Sequence, residues 1–466
     1  MARLSIRVIA NGLMLLALGA AAAGAAEQNV CSYGAKGDGT TPDTVAIQAA
    51  IDAASGAGGG TVVVPPGMYA IARIELRSNV TLHLDKGATL LGSTDRKDYA
   101  HKQSAVVFAH EAQHLVVEGE GAISGQMTAD YGSRWGASTA PTFRTGLVRL
   151  EDCRDVTFRG VSLLNSDSWT LHLRGCRHVR IERIEILDNY KRLNTDGIDP
   201  NSCIDLKISR CHIVCGDDAI VLKSTEPRPC EDIEVSDCVL ESATAGLKIG
   251  TESKGDFRNI RFHDCKIVHT PVGVGFYIKD GAVVQNVVAE NIEIDLCGPA
   301  FHSVVPLYID IEKRNADSKV GVVRDVVFRD IHITGGAGLL LQGMPESFLQ
   351  NVTLKNITLD VKEAQDYATR KKPVGGHRTT HDARDTQYAR AATWAAIANI
   401  KGLMVDGFHV NVGEENFKKF PRSAISLFNV KGGHVFNVTR TPSAASPPLV
   451  DSHNCKQVSV DQPAQR

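Results

Sequence analysis

From about residue 60 onward the chain alternates apolar and polar residues in short runs, as in Val235-Ser236-Asp237-Cys238-Val239-Leu240. A period of two is the mark of a strand with one buried face. The runs also recur. An apolar residue preceded by Asp, Asn or another polar residue returns at Val156, Val179, Leu206, Ile233, Ile260, Val287, Val326 and Val352. Four successive steps are 27 residues long, with a step of 23 before them and steps of 39 and 26 after. A second series at Ile213, Leu240, Ile267, Ile294, Ile333 and Leu359 keeps the same rhythm, and fainter copies lie at Val80, Leu115, Leu403, Val435 and Val458. A repeat of this length means an array whose units bury their apolar faces on one another. Several short strands per repeat predict an all-β fold, a right-handed parallel β-helix solenoid. The leucine and asparagine spacing of a leucine-rich repeat is missing.

One segment breaks the pattern near the start. Residues from Asp43 to Ala54, with Val45, Ile47, Ala50 and Ile51 apolar, predict a short N-terminal capping helix, which an open solenoid end requires. Three insertions interrupt the repeat at 126–144 (with Tyr131 and Trp135), 298–318 and 362–399 (with Trp394). Loops of this kind commonly form a solenoid's binding face. The 466 residues would suggest two or three domains by length alone. A continuous repeat lengthens without splitting, so residues 27–466 are expected to form a single domain.

A formal net charge of −2 argues against nucleic acid as a partner. Arg3, Arg7, the apolar run Val8–Ala26 and the small residues Gly24-Ala25-Ala26 read as a signal peptide over 1–26 rather than a membrane anchor. The protein is therefore expected to be exported, to a periplasm or beyond. Eleven cysteines in such a protein would suggest disulfides. Here Cys176, Cys203 and Cys230 share one register, and Cys211, Cys238 and Cys265 another, as stacked small hydrophobes would. Alternation turns Cys211 and His212 to opposite faces, which argues against zinc.

The chemistry concentrates in Asn194-Thr195-Asp196-Gly197-Ile198-Asp199 and Cys215-Gly216-Asp217-Asp218-Ala219-Ile220. Aligning the inward pairs Ile198/Pro200, Ile220/Leu222, Leu247/Ile249 and Phe276/Ile278 puts Asp196 and Asp218 two residues before the first inward residue of adjacent coils. Neighbouring strands are about 4.8 Å apart, so these acids stack with Asp217 beside them. Carboxylates so close resist joint ionisation, which supplies a general acid and a general base together. A carboxyl pair flanking a sugar bond is the machinery of glycoside hydrolysis. A calcium site or plain turn residues are the other readings. The same alignment lines the outer face with Asp199, Lys223, Lys248, Tyr277 and Lys279, a cationic and partly aromatic wall suited to a carboxylated sugar. His172 and Arg174 share that face and read as ordinary surface.

At these residues the chain resembles glycoside hydrolase family 28, the polygalacturonase and rhamnogalacturonan-hydrolase family. The likeness extends from Gly37-Asp38-Gly39 through Ser78-Asn79-Val80-Thr81-Leu82 and Gly87-Ala88-Thr89-Leu90-Leu91-Gly92-Ser93 to Asn194-Thr195-Asp196-Gly197 and Gly216-Asp217-Asp218. The resemblance implies metal-free hydrolysis with inversion and no cofactor. Asp217 would be the general acid, and Asp196 and Asp218 would hold and deprotonate the attacking water. Asn194, Asp199, Lys223, Lys248, Tyr277 and Lys279 are the candidate substrate-binding residues, and the partner is a uronate-containing polysaccharide or oligosaccharide. The chain departs from the polygalacturonase pattern twice: Thr244-Ala245-Gly246 replaces Gly-His-Gly, and Tyr277-Ile278-Lys279 replaces Arg-Ile-Lys. A calcium-dependent polysaccharide lyase and a non-catalytic glycan-binding β-helix are the competing functions.

Overall fold

The computed structural model describes residues 27–99, 105–129, 145–296, 304–364, 388 and 390–461. The expected signal peptide at 1–26 and the aromatic residues Tyr131 and Trp135 fall outside these ranges. Among the described residues, every named strand pairing is parallel, and the chain coils as a right-handed parallel β-helix. One face is a 13-stranded sheet in strict chain order from Ile74–Glu75 to Val450–His453; a 23-stranded sheet forms the remaining sides.

The polar residues before the apolar marks explain the rhythm. Asn79, Asp155, Asp205, Asp232, Asn259, Asn286, Asp325 and Asn351 all have φ between 53° and 63°. That left-handed conformation lets the chain turn sharply, and Asn and Asp tolerate it best among residues with a side chain. The corners also stack: Asn259 donates to Asp232, Asn286 to Asn259 and Asn351 to Asp325, each at 2.8 Å. After each corner the strand sends its apolar residues inward. On the 13-stranded sheet Leu171, Ile198, Ile220, Leu247, Val274 and Leu307 form another inward row, all 0% exposed. Each fully buried aliphatic side chain contributes roughly 1.5–3 kcal/mol. The two cysteine series are free, buried thiols within this core.

The capping helix runs Thr44–Gly56 and buries Ile47, Ala50, Ile51 and Ala54 over the first strands. Val45 turns outward and is 82% exposed, because it lies off the stripe that the other apolar residues share. Two of the insertions are smaller than the repeat suggested. The 39-residue step contains a regular strand, Val305–Ile311, paired with Val272–Ile278. Likewise Thr393–Ala398 is a sheet strand, and Trp394 is fully buried in the core rather than placed in a loop. A second short helix, Glu414–Lys419, follows beyond the region where helical periodicity was visible.

Candidate active site

The site lies where the strands Leu171–Arg174, Ile198–Asn201, Ile220–Ser224 and Ala245–Ser253 run side by side. Ile198 pairs with Ile220 and Ile220 with Leu247, so Asp196 and Asp218 stand at equivalent positions on adjacent coils. The loop carrying Asp196 is pinned from below. Thr195 Oγ1 donates to the Arg192 carbonyl at 2.9 Å and accepts from the Gly216 amide at 3.0 Å. A Cβ on Gly216 would lie 2.0 Å from that same Arg192 oxygen, so this position admits only glycine.

Asp196, Asp217 and Asp218 each present an oxygen, and the three oxygens lie within 4.8 Å of one another. The Asn194 backbone N–H donates to Asp217 Oδ2 at 3.1 Å. Thr244 Oγ1 lies 3.1 Å from Asp217 Oδ1 and 2.5 Å from Asp218 Oδ1. The Lys248 ammonium meets Asp218 Oδ2 at 2.6 Å. Lys223 sits deeper, with its Nζ 3.2 Å from Asp196, 3.4 Å from Asp199 and 3.6 Å from Glu252.

Burial sets the electrostatics. It raises the Asp196 pKa to about 7, opposed by Lys223 and assisted by the neighbouring Asp217 and Asp218. Asp199, with no exposed surface, is pushed well above the carboxylate range by burial and then by Asp196. Burial works against the Lys223 charge, yet Asp196, Asp199 and Glu252 hold its pKa well above the ordinary lysine value. Glu252 goes the other way: Lys223, Lys248 and Arg314 overcome burial and bring it to about 2. His172 is kept neutral by burial and by Arg149, Lys223 and Arg174. The cluster thus holds carboxyl groups of very different proton affinity, as acid–base chemistry needs. Its three oxygens are close enough to share a cation, and two of the acids already meet an ammonium group, Asp196 that of Lys223 and Asp218 that of Lys248.

The wall beside the acids differs from the sequence expectation in two ways. Leu247 pairs with Val274 and Ile249 with Phe276, so the true register is two residues away from the alignment of Leu247 with Phe276. Val272-Gly273-Val274-Gly275-Phe276 offers three inward residues in alternation, and only strand pairing selects among them. Tyr277 therefore lies opposite Gly250, and its ring centroid is 5.1 Å from Lys248 Nζ. The lysines are also not free surface charge. Lys223 and Lys279 are both 5% exposed, and Lys279 is held by Glu312 at 2.6 Å. Asp199 lies beneath the surface, and Asn194 meets the trio through its backbone. His172 is likewise buried rather than ordinary surface, and Arg174 pairs with Glu151 and Glu226.

Three residues were missed. Trp169 stands two residues before Leu171, the same offset as Asp196 and Asp218 from their inward partners, and Lys223 lies 4.6 Å from its ring centroid. Extending the alignment back by one coil would have found it. Thr244 holds the register of Asp217. Glu252 had no signal, because a bulge between Leu222 and Ser224 displaces the end of its strand.

A parallel β-helix with three converging aspartates on an outer face defines a polysaccharide-processing class of protein, and the comparisons give the family. Residues 56–375 match Glycosyl hydrolases family 28, and the chain belongs to that family and is a glycoside hydrolase. A probable polygalacturonase of Vitis vinifera is 25% identical over 362 residues, covering 71% of this chain and 74% of that protein. A family 28 exopolygalacturonase of Yersinia enterocolitica shares the fold, with a TM-score of 0.66 at 15% identity over 93% of this chain and 78% of its own. The exopolygalacturonase of Thermotoga maritima gives 0.62 at 24% identity, over 72% and 87%.

Proposed function

We propose that the protein is an exported hydrolase that cleaves galacturonate-containing pectic polysaccharide or oligosaccharide by single displacement with inversion. Asp217 donates its proton to the glycosidic oxygen as the sugar carbon–oxygen bond breaks. Asp196 and Asp218 hold a water molecule, and one of them takes its proton as the new bond forms. The observation that carries this reading is the meeting of three carboxylates within 4.8 Å between two buried or half-buried ammonium groups. Tyr277 and Trp169 offer ring faces on either side of the trio for sugar carbons. The polygalacturonase names of the relatives support a uronate substrate. The pattern at 1–26 supports export.

The short spacing favours a second reading. Retaining glycosidases hold their two carboxyl groups closer together, about 5–5.5 Å, than inverting ones, about 6.5–9.5 Å, and the facing oxygens of the trio lie within 4.8 Å of one another. Product configuration separates the two. Incubation with galacturonate-containing oligosaccharides is expected to show the inverted anomer by proton NMR during the first turnovers and one added water in the product mass by mass spectrometry. Asp217→Asn should lower kcat by a factor on the order of 10²–10⁴ with an unchanged circular dichroism spectrum. An unsaturated product would point to a lyase, and undiminished turnover in the variant would remove Asp217 from the reaction.

A further inference from the structure

The turn that carries Trp169 runs from the end of the strand Ser162–Leu164 to the start of Leu171–Arg174. Where a buried backbone leaves the sheet ladder, its amides must find other acceptors. Asp188 supplies one. It follows the strand Glu185–Leu187, which pairs with Ser162–Leu164 on one side and His212–Cys215 on the other, and its own N–H donates to the Val214 carbonyl at 2.9 Å. From that fixed post Oδ1 accepts from the Ser166 N–H and Oδ2 from the Thr170 hydroxyl, each at 2.6 Å. One carboxyl thus grips both ends of the segment 166–170. Ser166 and Thr170 are fully buried and Asp188 nearly so, so water does not compete for these bonds. Burial raises the Asp188 pKa to about 7, opposed by the two hydrogen bonds and by Arg192. Either charge state keeps the grip, because a neutral carboxyl donates to the Thr170 oxygen and still accepts from Ser166. Trp169 lies within the gripped segment. The Thr170 N–H donates to the Asp196 carbonyl at 2.9 Å. Lys223 Nζ is 4.6 Å from the Trp169 ring centroid, and the His172 ring stands edge-on to it at 4.7 Å.

We propose that Asp188 is a positioning residue that holds the Trp169 ring in place for the sugar beside the cleaved bond. The proposal rests on the reading above that Trp169 offers a ring face to the substrate. Asp188 sits behind the turn and acts only through it. A ring already fixed in its bound position loses little freedom when the sugar arrives, and such preorganisation strengthens binding. It leaves the bond-breaking step to the aspartates. Without the carboxyl, the Ser166 N–H and the Thr170 hydroxyl are buried donors with no acceptor. The turn then rearranges to satisfy them and carries Trp169 off its position. The loss falls on substrate affinity, not on the rate of the chemistry.

The test is steady-state kinetics on galacturonate-containing oligosaccharides, with each variant made alone and in a Trp169→Ala background. Asp188→Ala should raise KM roughly fivefold to tenfold, the loss of about one aromatic contact, with kcat within about twofold of wild type. Asp188→Asn keeps an acceptor for Ser166 and gains a donor for the Thr170 oxygen, so it should keep the wild-type KM. Thr170→Val keeps the shape of the side chain and removes its hydroxyl. It should move KM in the same direction, and it carries the test if Asp188→Ala does not fold. In the Trp169→Ala background neither Asp188→Ala nor Thr170→Val should raise KM further. The proposal is overturned by a fall in kcat at unchanged KM, by an asparagine variant as impaired as the alanine one, or by an equal rise in KM with and without Trp169. A wild-type KM in Trp169→Ala removes the ring from sugar binding and the proposal with it. A fully active Asp217→Asn overturns the acid assignment alone.

Discussion

Lysine–carboxylate pairs occur on two faces of the same coils, and their surroundings give them different work. On the long sheet Lys207 reaches Glu234 at 2.9 Å, with side chains 54% and 34% exposed. On the shorter sheet Lys248 reaches Asp218 at 2.6 Å, with side chains only 15% and 3% exposed. The contact geometry is nearly the same. Water screens the first pair, so it contributes little. The second is largely withdrawn from water, where a charge left without its partner is costly to hold. One repeat thus supplies ordinary surface on one side and a tuned acid–base cluster on the other.

The sharpest way to break this contrast is Lys223→Met. It leaves Asp196, Asp199 and Glu252 without their common cation, and breaking a buried pair costs about 3–5 kcal/mol. A large fall in thermal midpoint is expected, together with loss of activity; a midpoint within a degree of wild type would show the cluster to be hydrated. Asp196→Asn tests the same burial more gently. The folded-state pKa of Asp196 is raised to about 7 from the ordinary 3.8. The folded protein therefore holds a proton between those values that the unfolded chain has released, and stability falls as pH rises through this window. Stability scans from pH 4 to 8 should show a flatter decline in Asp196→Asn than in wild type, and parallel curves would contradict the shift. Lys207→Ala, on the exposed side, should change stability by less than about 0.5 kcal/mol. A larger loss there would erase the distinction between the faces.

Much of this was legible along the chain. The 27-residue rhythm, the Asn and Asp corners and the inward apolar pairs are local patterns, each imposed by backbone geometry that every coil repeats. The same register placed Asp196, Asp217 and Asp218 together. It failed at Phe276, where alternation continued for one residue pair too many and only the partner strand chose the pairing. The lysines were visible but their partners were not. Glu312, which holds Lys279, comes a full coil later, after a strand hidden inside an apparent insertion.

The amino-acid order by itself determined that the chain would coil and which coils would carry the acids, because strand period and corner residues act over a few neighbouring positions. Only the tertiary structure decided which charges are buried and which cation serves which carboxylate. Those depend on distances between residues about 24 to 33 positions apart and on how much water the packed coils exclude, and neither is written in any local pattern.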